Sequence, residues 1–269
     1  MTEIFENIKK LYEFEQPCEE LSPYIEFFSE TSLAATQSHV ASEEFTVKLF
    51  PSYTPTIWIN LGSPYFLKNG NDWKSVDQQT DVLVLRNEII ERRNLPTDNI
   101  FTIKFFPGAI EALFGISQAQ IGSQILQAAE LIPYATLQKL KNLSDFKDRI
   151  KLLEDFFLAK LYQKNKVGHY YSHVQKAIAL FADSGLANKN SELAQQLALT
   201  DKSLYRYFTQ TVGASPKTYM AMLRARTALT AYIADTPNFN PYLYGYYDRS
   251  HFYKDVYNFT GQRLGRRLN

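Results

Sequence analysis

The sequence predicts an α+β protein in which an antiparallel, β-rich N-terminal part with helices precedes an all-α C-terminal part. Three observations carry that expectation. Between residues 44 and 106 apolar side chains recur with period two, the mark of half-buried strands. After Pro107-Gly108 the period becomes helical and remains so. Charge divides the chain as well: through Asn165 there are 16 Lys and Arg against 22 Asp and Glu, a balance of −6, and beyond it 13 against 6, a balance of +7. The polar stretch from Gln163 to Gly168 is the best boundary, which makes the expected domains 1–165 and 166–269.

A 269-residue chain with 45% hydrophobic and 21% charged residues is ordinary globular material, and disorder is excluded. Cys18 is the only cysteine, so an intrachain disulfide or a thiolate metal cluster cannot form, and a reducing compartment is the natural setting. No basic segment followed by an apolar run opens the chain, and no apolar stretch approaches about 18 residues. A soluble, cytoplasmic protein without membrane contact is expected.

Residues 1 to 30, limited by Pro17 and Pro23, read as irregular or weakly helical. Phe45, Val47 and Leu49 then alternate with polar neighbours, as do Ile57, Ile59 and Leu61, and later Phe101, Ile103 and Phe105. Asp81 to Arg86 reads as a further strand, and turn-forming clusters at 62–64, 69–72 and 94–99 separate them. A small antiparallel sheet or partial barrel follows. Helices are expected over Ala109–Phe114, Gln118–Glu130, Tyr134–Leu140 and about Ser144–Tyr162. In the last, Phe146, Ile150, Leu153, Phe157 and Leu161 share a face that reads as core, a dimer seam being the other assignment.

The basic part carries a helix-turn-helix pattern. Ser191 is placed to cap a short helix with Leu193 and Leu197 on one face and the small Ala194 open to a close crossing. Ala198-Leu199-Thr200 makes the turn, and Thr200 caps a second helix. At 100° per residue Leu204 and Phe208 fall on one side of it, and Lys202, Tyr205, Arg206 and Thr209 on the other. Ser215-Pro216 opens a helix-compatible run to Ala234, roughly 28 Å long at 1.5 Å per residue. Asn240-Pro241 allows about one turn ending at Gly245, after which Asp248 caps a last helix. There Phe252, Val256 and Phe259 point inward, while Ser250, Lys254 and Tyr257 point outward and Arg249 stands in the first turn. Twelve of the 18 tyrosines lie in this part, among the cations, as suits rings that pack while their hydroxyls meet phosphates.

These residues resemble the AraC/XylS family of transcription regulators. The first signature runs through Leu193-Ala194, Leu199-Thr200, Leu204 to Phe208, Val212-Gly213, Ser215-Pro216, Tyr219 and Arg224. The second is Gly245 to Phe252 followed by Phe259-Thr260-Gly261. The resemblance implies two helix-turn-helix units joined by a long helix, entering successive major grooves of double-stranded DNA. It puts the base-contacting positions on Lys202, Tyr205 and Arg206 and on Arg249, Ser250 and Lys254, and the wheel adds Thr209. Two departures stand out: Phe239 to Tyr244 leaves room for one turn where the family has a full helix, and Gly261 is followed by Gln262-Arg263 where the family has Ser/Thr-Pro. The second unit is therefore expected to discriminate less than the first. Arg263, Arg266 and Arg267 read either as phosphate contacts or as a solvated end.

The acidic part, from Pro51 to Leu61 with Asp81 to Arg86 and Ile103 to Gly108, is loosely similar to the cupin-like, sensory or dimerising domains that precede this module in the family. A small-molecule effector, a homodimer and RNA polymerase are the further partners that this leaves open. Chemistry is not expected: His39 is the single histidine of that part, so catalytic metal binding and a cofactor are unsupported, and no catalytic residue is assigned. His169 and His173, four apart, lack a third metal ligand and read as a solvated face. Asn69-Gly70 reads as a turn, Cys18 as a thiol raised by Glu15 and Glu19, and Trp58 and Trp73 as core side chains with a pocket lining as the alternative. The expected function is sequence-specific regulation of transcription rather than enzymatic activity. The competing reading is a small-molecule-binding or enzymatic β-domain whose basic half meets DNA weakly or without specificity.

Overall fold

The computed structural model describes residues 1–6, 8–40, 44–69, 72–163 and 169–264. Alternation becomes strands β1 (Tyr12–Glu15), β2 (Ile25–Thr31), β3 (Phe45–Leu49), β4 (Pro55–Asn60) and β5 (Tyr65–Asn69). They continue as β6 (Asp72–Val76), β7 (Val82–Leu85), β8 (Ile90–Asn94), β9 (Ile100–Phe105) and β10 (Ile125–Gln127). The named strands pair antiparallel, in a six-stranded sheet of order β1-β2-β9-β4-β7-β10 and a four-stranded sheet of order β3-β8-β5-β6.

Side-chain alternation explains why the central strands are buried on both faces. Ile57 and Ile59, Leu83 and Leu85, and Phe101, Ile103 and Phe105 turn toward helices α2 (Ala109–Phe114), α3 (Tyr134–Asn142) and α4 (Phe146–Gln163). Trp58, Val82, Val84 and Ile100 turn the other way, onto Val47, Leu49, Tyr65 and Leu67 of the smaller sheet. Ile150, Leu153 and Phe157 of α4 lie in the first of these cores, so the apolar stripe is core as expected.

Two expectations fail in this half. Residues 25–31 form β2, inside the large sheet, because Pro17 and Pro23 lie outside the strand and do not block it. Residues 118–130 are two short 3-10 turns around β10, which adds to the β7 edge; Gly122 at φ 54° interrupts any helix there. β5, β6 and β8 carry no alternation strong enough to announce them, and α1 (Leu33–His39) is likewise unforeseen.

The remaining helices are α5 (His169–Asp183), α6 (Asn190–Gln196), α7 (Asp201–Thr211), α8 (Pro216–Ala234) and α9 (Arg249–Thr260). They share a core of Val174, Phe181, Leu193, Leu204, Phe208, Tyr219, Leu229 and Phe252, and that core also takes in the fully buried Phe50. Gln118 joins the two parts through its amide, which donates to the Tyr53 and Val212 carbonyls at 2.8 Å each while its oxygen accepts from the Gly108 N–H. Tyr24 stacks on Tyr171, and the Gln175 amide donates to the Pro107 carbonyl. Within the sequence boundary of 163–168, residues 164–168 lie outside the described residues. Among the described residues no helix is long and apolar enough to cross a membrane.

Candidate nucleic-acid interface and an inter-sheet cavity

The helix-turn-helix forms where the spacing put it. α6 buries Leu193 and Ala194, but its cap is Lys189 and not Ser191: the Lys189 N–H donates to the Glu192 carboxylate at 2.7 Å, and the helix starts one residue before Ser191. The turn needs a left-handed residue, supplied by Ala198 at φ 54°. Thr200 caps α7 by accepting from the Ser203 N–H at 3.1 Å, and Ser215 caps α8 by accepting from Thr218. Leu204, Tyr207 and Phe208 are buried, whereas Lys202, Tyr205 and Arg206 are exposed.

Beyond α8 the shortened segment is a single 3-10 turn, Pro241–Tyr244, closed by Gly245 at φ 71°. Asp248 caps α9 by accepting from the His251 N–H at 2.7 Å. The packing around this turn is aromatic. Phe239 stacks on Tyr244, meets Tyr232 edge-on and lies 4.7 Å from the Phe252 ring, while Tyr246 contacts Phe252 from another side. Arg224 of α8 ties both units together: its Nε donates to the Leu186 carbonyl at 3.1 Å, and its guanidinium sits over Phe181 and Tyr246. Asp248→Ala should therefore lower stability by about 1 kcal/mol, read as a shift of the urea midpoint without a change in slope.

Counting from each cap, α7 and α9 present the same register. Lys202, Tyr205, Arg206 and Thr209 stand two, five, six and nine residues after Thr200; Ser250, Tyr253, Lys254 and Tyr257 stand at the same offsets after Asp248. Tyr205, Tyr253 and Tyr257 are 56%, 41% and 47% exposed. Lys202, Arg206, Arg249 and Lys254 hold no salt bridge among the described residues. Each helix thus offers solvent a tyrosine followed by a cation that holds no salt bridge among the described residues.

A second feature lies between the sheets. A cavity of about 680 Å³ is walled by Phe27, Leu49, Trp58 and Thr102, and by Arg226, Thr230 and Ile233 of α8. A bulge in β2 creates its polar end, since one extra residue between Ile25 and Phe27 sets Glu26 beside Lys104, at 3.0 Å. Glu3 bridges Arg86 and Arg226 at 2.5 Å each. Three cations here face two carboxylates, and Arg86 Nε and Arg226 Nη1 are buried without a hydrogen-bond partner. Burial lowers the Lys104 ammonium to about 8, against the opposite pull of Glu26 and Glu3 and with help from Arg86 and Arg226.

Solved structures similar to this one include ToxT. The 1.65 Å structure of ToxT from Vibrio cholerae is 10% identical, with 82% of this chain and 96% of that one covered and a TM-score of 0.45. Unsaturated fatty acid-bound ToxT from V. cholerae strain SCE256 is 13% identical, with 82% and 92% covered and a TM-score of 0.42. The AraC-like transcriptional activator CuxR is 12% identical, with 89% and 93% covered and a TM-score of 0.26. No family model and no curated protein sequence matches the chain.

The sequence-predicted residues fall on two surfaces. Lys202, Tyr205 and Arg206 share one face of α7 with Thr209, which is half-buried and donates its hydroxyl back to the Tyr205 carbonyl at 2.9 Å. Arg249, Ser250 and Lys254 are exposed on α9. Tyr253 was missed; the offset from the cap, compared between the two helices, is the signal that finds it. Arg263 lies over the Tyr257 ring, whereas Arg266 and Arg267 are outside the described residues, as is Gly70 of the expected turn. The His173 ring packs against Tyr207, the His169 and His39 side chains are not described, and no group of three metal-ligating side chains occurs among the described residues. Trp58 both packs in the core and lines the cavity, while Trp73 sits under Arg93 instead. The Cys18 thiol is raised as expected, but by burial and the Glu154 and Glu20 carboxylates rather than by Glu15 and Glu19.

Proposed function

We propose that this protein is a sequence-specific, double-stranded-DNA-binding regulator of transcription whose C-terminal part, 166–269, reads two major grooves with α7 and α9. The observation that carries the reading is the shared register of the two outward faces, each an exposed tyrosine followed by an exposed cation on a helix whose other side is core. Arg206 is the bidentate reader of a guanine edge, Lys202 and Arg249 neutralise phosphates, and Ser250 and Thr209 offer hydroxyls close to the groove. Tyr253 and Lys254 repeat the Tyr205-Arg206 pattern of the first helix on a braced support, which favours base reading by the second helix too, against the weaker role expected from its shortened neighbour. Retention of random DNA fragments at moderate salt tests this: repeated selection should converge on one site, and no convergence would leave only non-specific binding.

We further propose that the N-terminal part, 1–165, is controlled by a small effector with an acidic group, lodged in the cavity with that group against Lys104, Arg86 and Arg226. The unpartnered guanidinium N–H groups and the surplus cation support it. Since only the protonated Lys104 adds positive charge, affinity for an anionic probe should fall as pH rises through about 8. Titrating an anilinonaphthalene sulfonate across that range checks it; an unchanged affinity would remove Lys104 from the site.

A further inference from the structure

We propose that Glu3 is the cavity's resident anion: the first residues of the chain form a strap whose carboxylate ties α8 to the β-rich half and gives way to an entering anionic effector. This rests on the effector reading above and adds its means of control.

The strap is held at the β3 edge by backbone contacts, and Ile4 and Phe5 pack against the C-terminal core. Thr2 forms one parallel bridge to Lys48 at the β3 edge, the Glu3 N–H donates to the Lys48 carbonyl at 2.9 Å, and the Lys48 N–H donates to the Met1 carbonyl at 2.8 Å. Ile4 then sits at φ 74°, a left-handed conformation that a β-branched side chain disfavours. That turn delivers the carboxylate inward, where it accepts from Arg86, from Arg226 and from the Phe50 N–H at 2.8 Å. Burial acts to raise its pKa, but the two guanidiniums overcome this and hold it well below the usual carboxylate range. Phe5 lies edge-on to Phe50, and Phe50 contacts Phe259 of α9.

Among the described residues Glu3–Arg226 is the salt bridge that joins the β-rich half to the C-terminal helices. Arg226 belongs to the helix between the two candidate reading units, so its release removes the one charged tether of α8 to the sheets among the described residues and leaves the Tyr53–Tyr219 ring contact. Exchange has a low-cost route. Arg86 Nε and Arg226 Nη1 are buried and lack partners, so a carboxylate that takes the place of Glu3 also meets donors that Glu3 leaves unmet, and neither guanidinium is bared. Glu26 stays on Lys104 and keeps that corner paired.

The test compares two dyes on the full chain without DNA: an anilinonaphthalene sulfonate and the neutral N-phenylnaphthylamine. Glu3→Gln removes the competing charge, so affinity for the sulfonate should rise about tenfold while that for the neutral dye changes less than about twofold. Saturating sulfonate on the unmodified chain should speed hydrogen exchange in residues 1–6 and in α8. An unchanged sulfonate affinity, or equal gains for both dyes, overturns the proposal, the latter because it would report general loosening. Should Glu3→Gln not fold, Arg226→Gln serves instead: α8 should exchange faster while residues 1–6 stay protected through Arg86 and the Phe50 N–H, and unchanged exchange in α8 overturns the strap. Selective DNA retention is scored apart. Its absence with dye exchange intact would count against the regulator reading alone, and its presence with no dye effect against the strap alone.

Discussion

Gly245→Ala should be among the most damaging single-methyl changes in the C-terminal helices, lowering the free energy of unfolding by roughly 2–5 kcal/mol. Gly245 closes the 3-10 turn at φ 71°, which an L side chain rarely adopts. A Cβ there would stand 2.5 Å from the Leu186 carbonyl oxygen and 2.9 Å from its carbon, and backbone cannot swing aside as a flexible side chain can. Leu186 is itself left-handed at φ 64° and accepts from Arg224, so the contact cannot relax without loosening the grip of α8 on both units. Urea unfolding measures the loss. Gly245→Asn separates the two causes: asparagine tolerates the left-handed region but still carries the Cβ, so it should recover little if the carbonyl contact dominates. A change below about 0.5 kcal/mol, the level of an indifferent surface substitution, would mean that the turn is free to move.

Arg206→Ala should weaken binding to a selected DNA site by about 1–3 kcal/mol, five- to more than a hundredfold in Kd, and relax preference at one or two base pairs. Arg206 is exposed on α7, six residues after the Thr200 cap, with its guanidinium 5.4 Å from the Tyr207 ring centre, which steers its fork. Lys202→Ala should cost affinity more evenly across sequences, because an ammonium is a point charge without a fixed pair of donors. Competition binding with selected and random duplexes distinguishes them. Equal losses on both duplexes for Arg206→Ala would reassign it to phosphate contact.

The helix-turn-helix was legible because its determinants are local. Caps at Thr200, Ser215 and Asp248, and apolar residues at helical spacing, fix which side of each helix is buried, and the structure agrees at each of those three caps. Ser191 misled because a serine at a helix start is a good cap in isolation, while here the Glu192 carboxylate reaches back to Lys189. β2 was hidden by prolines that lie outside it, and β10 by a helical period that Gly122 and the β7 edge override. The cavity could not be read at all. Its polar end unites Glu3, Glu26, Arg86, Lys104 and Arg226, which only the sheet stacking and one bulge bring together. Phe50 is similar: it falls out of step with the alternation of Phe45, Val47 and Leu49, and nothing local says that it packs with α9.

Selection of duplexes from a randomised pool, followed by footprinting of the winning site, tests the central claim most directly. Two protected segments should appear, centred about 10 to 10.5 base pairs apart, each with its own base preference. Arg206→Ala should alter the preference in one segment only, and Tyr253→Ala with Lys254→Ala in the other. A single protected segment, or two that show no base preference in any selected pool, would contradict the account.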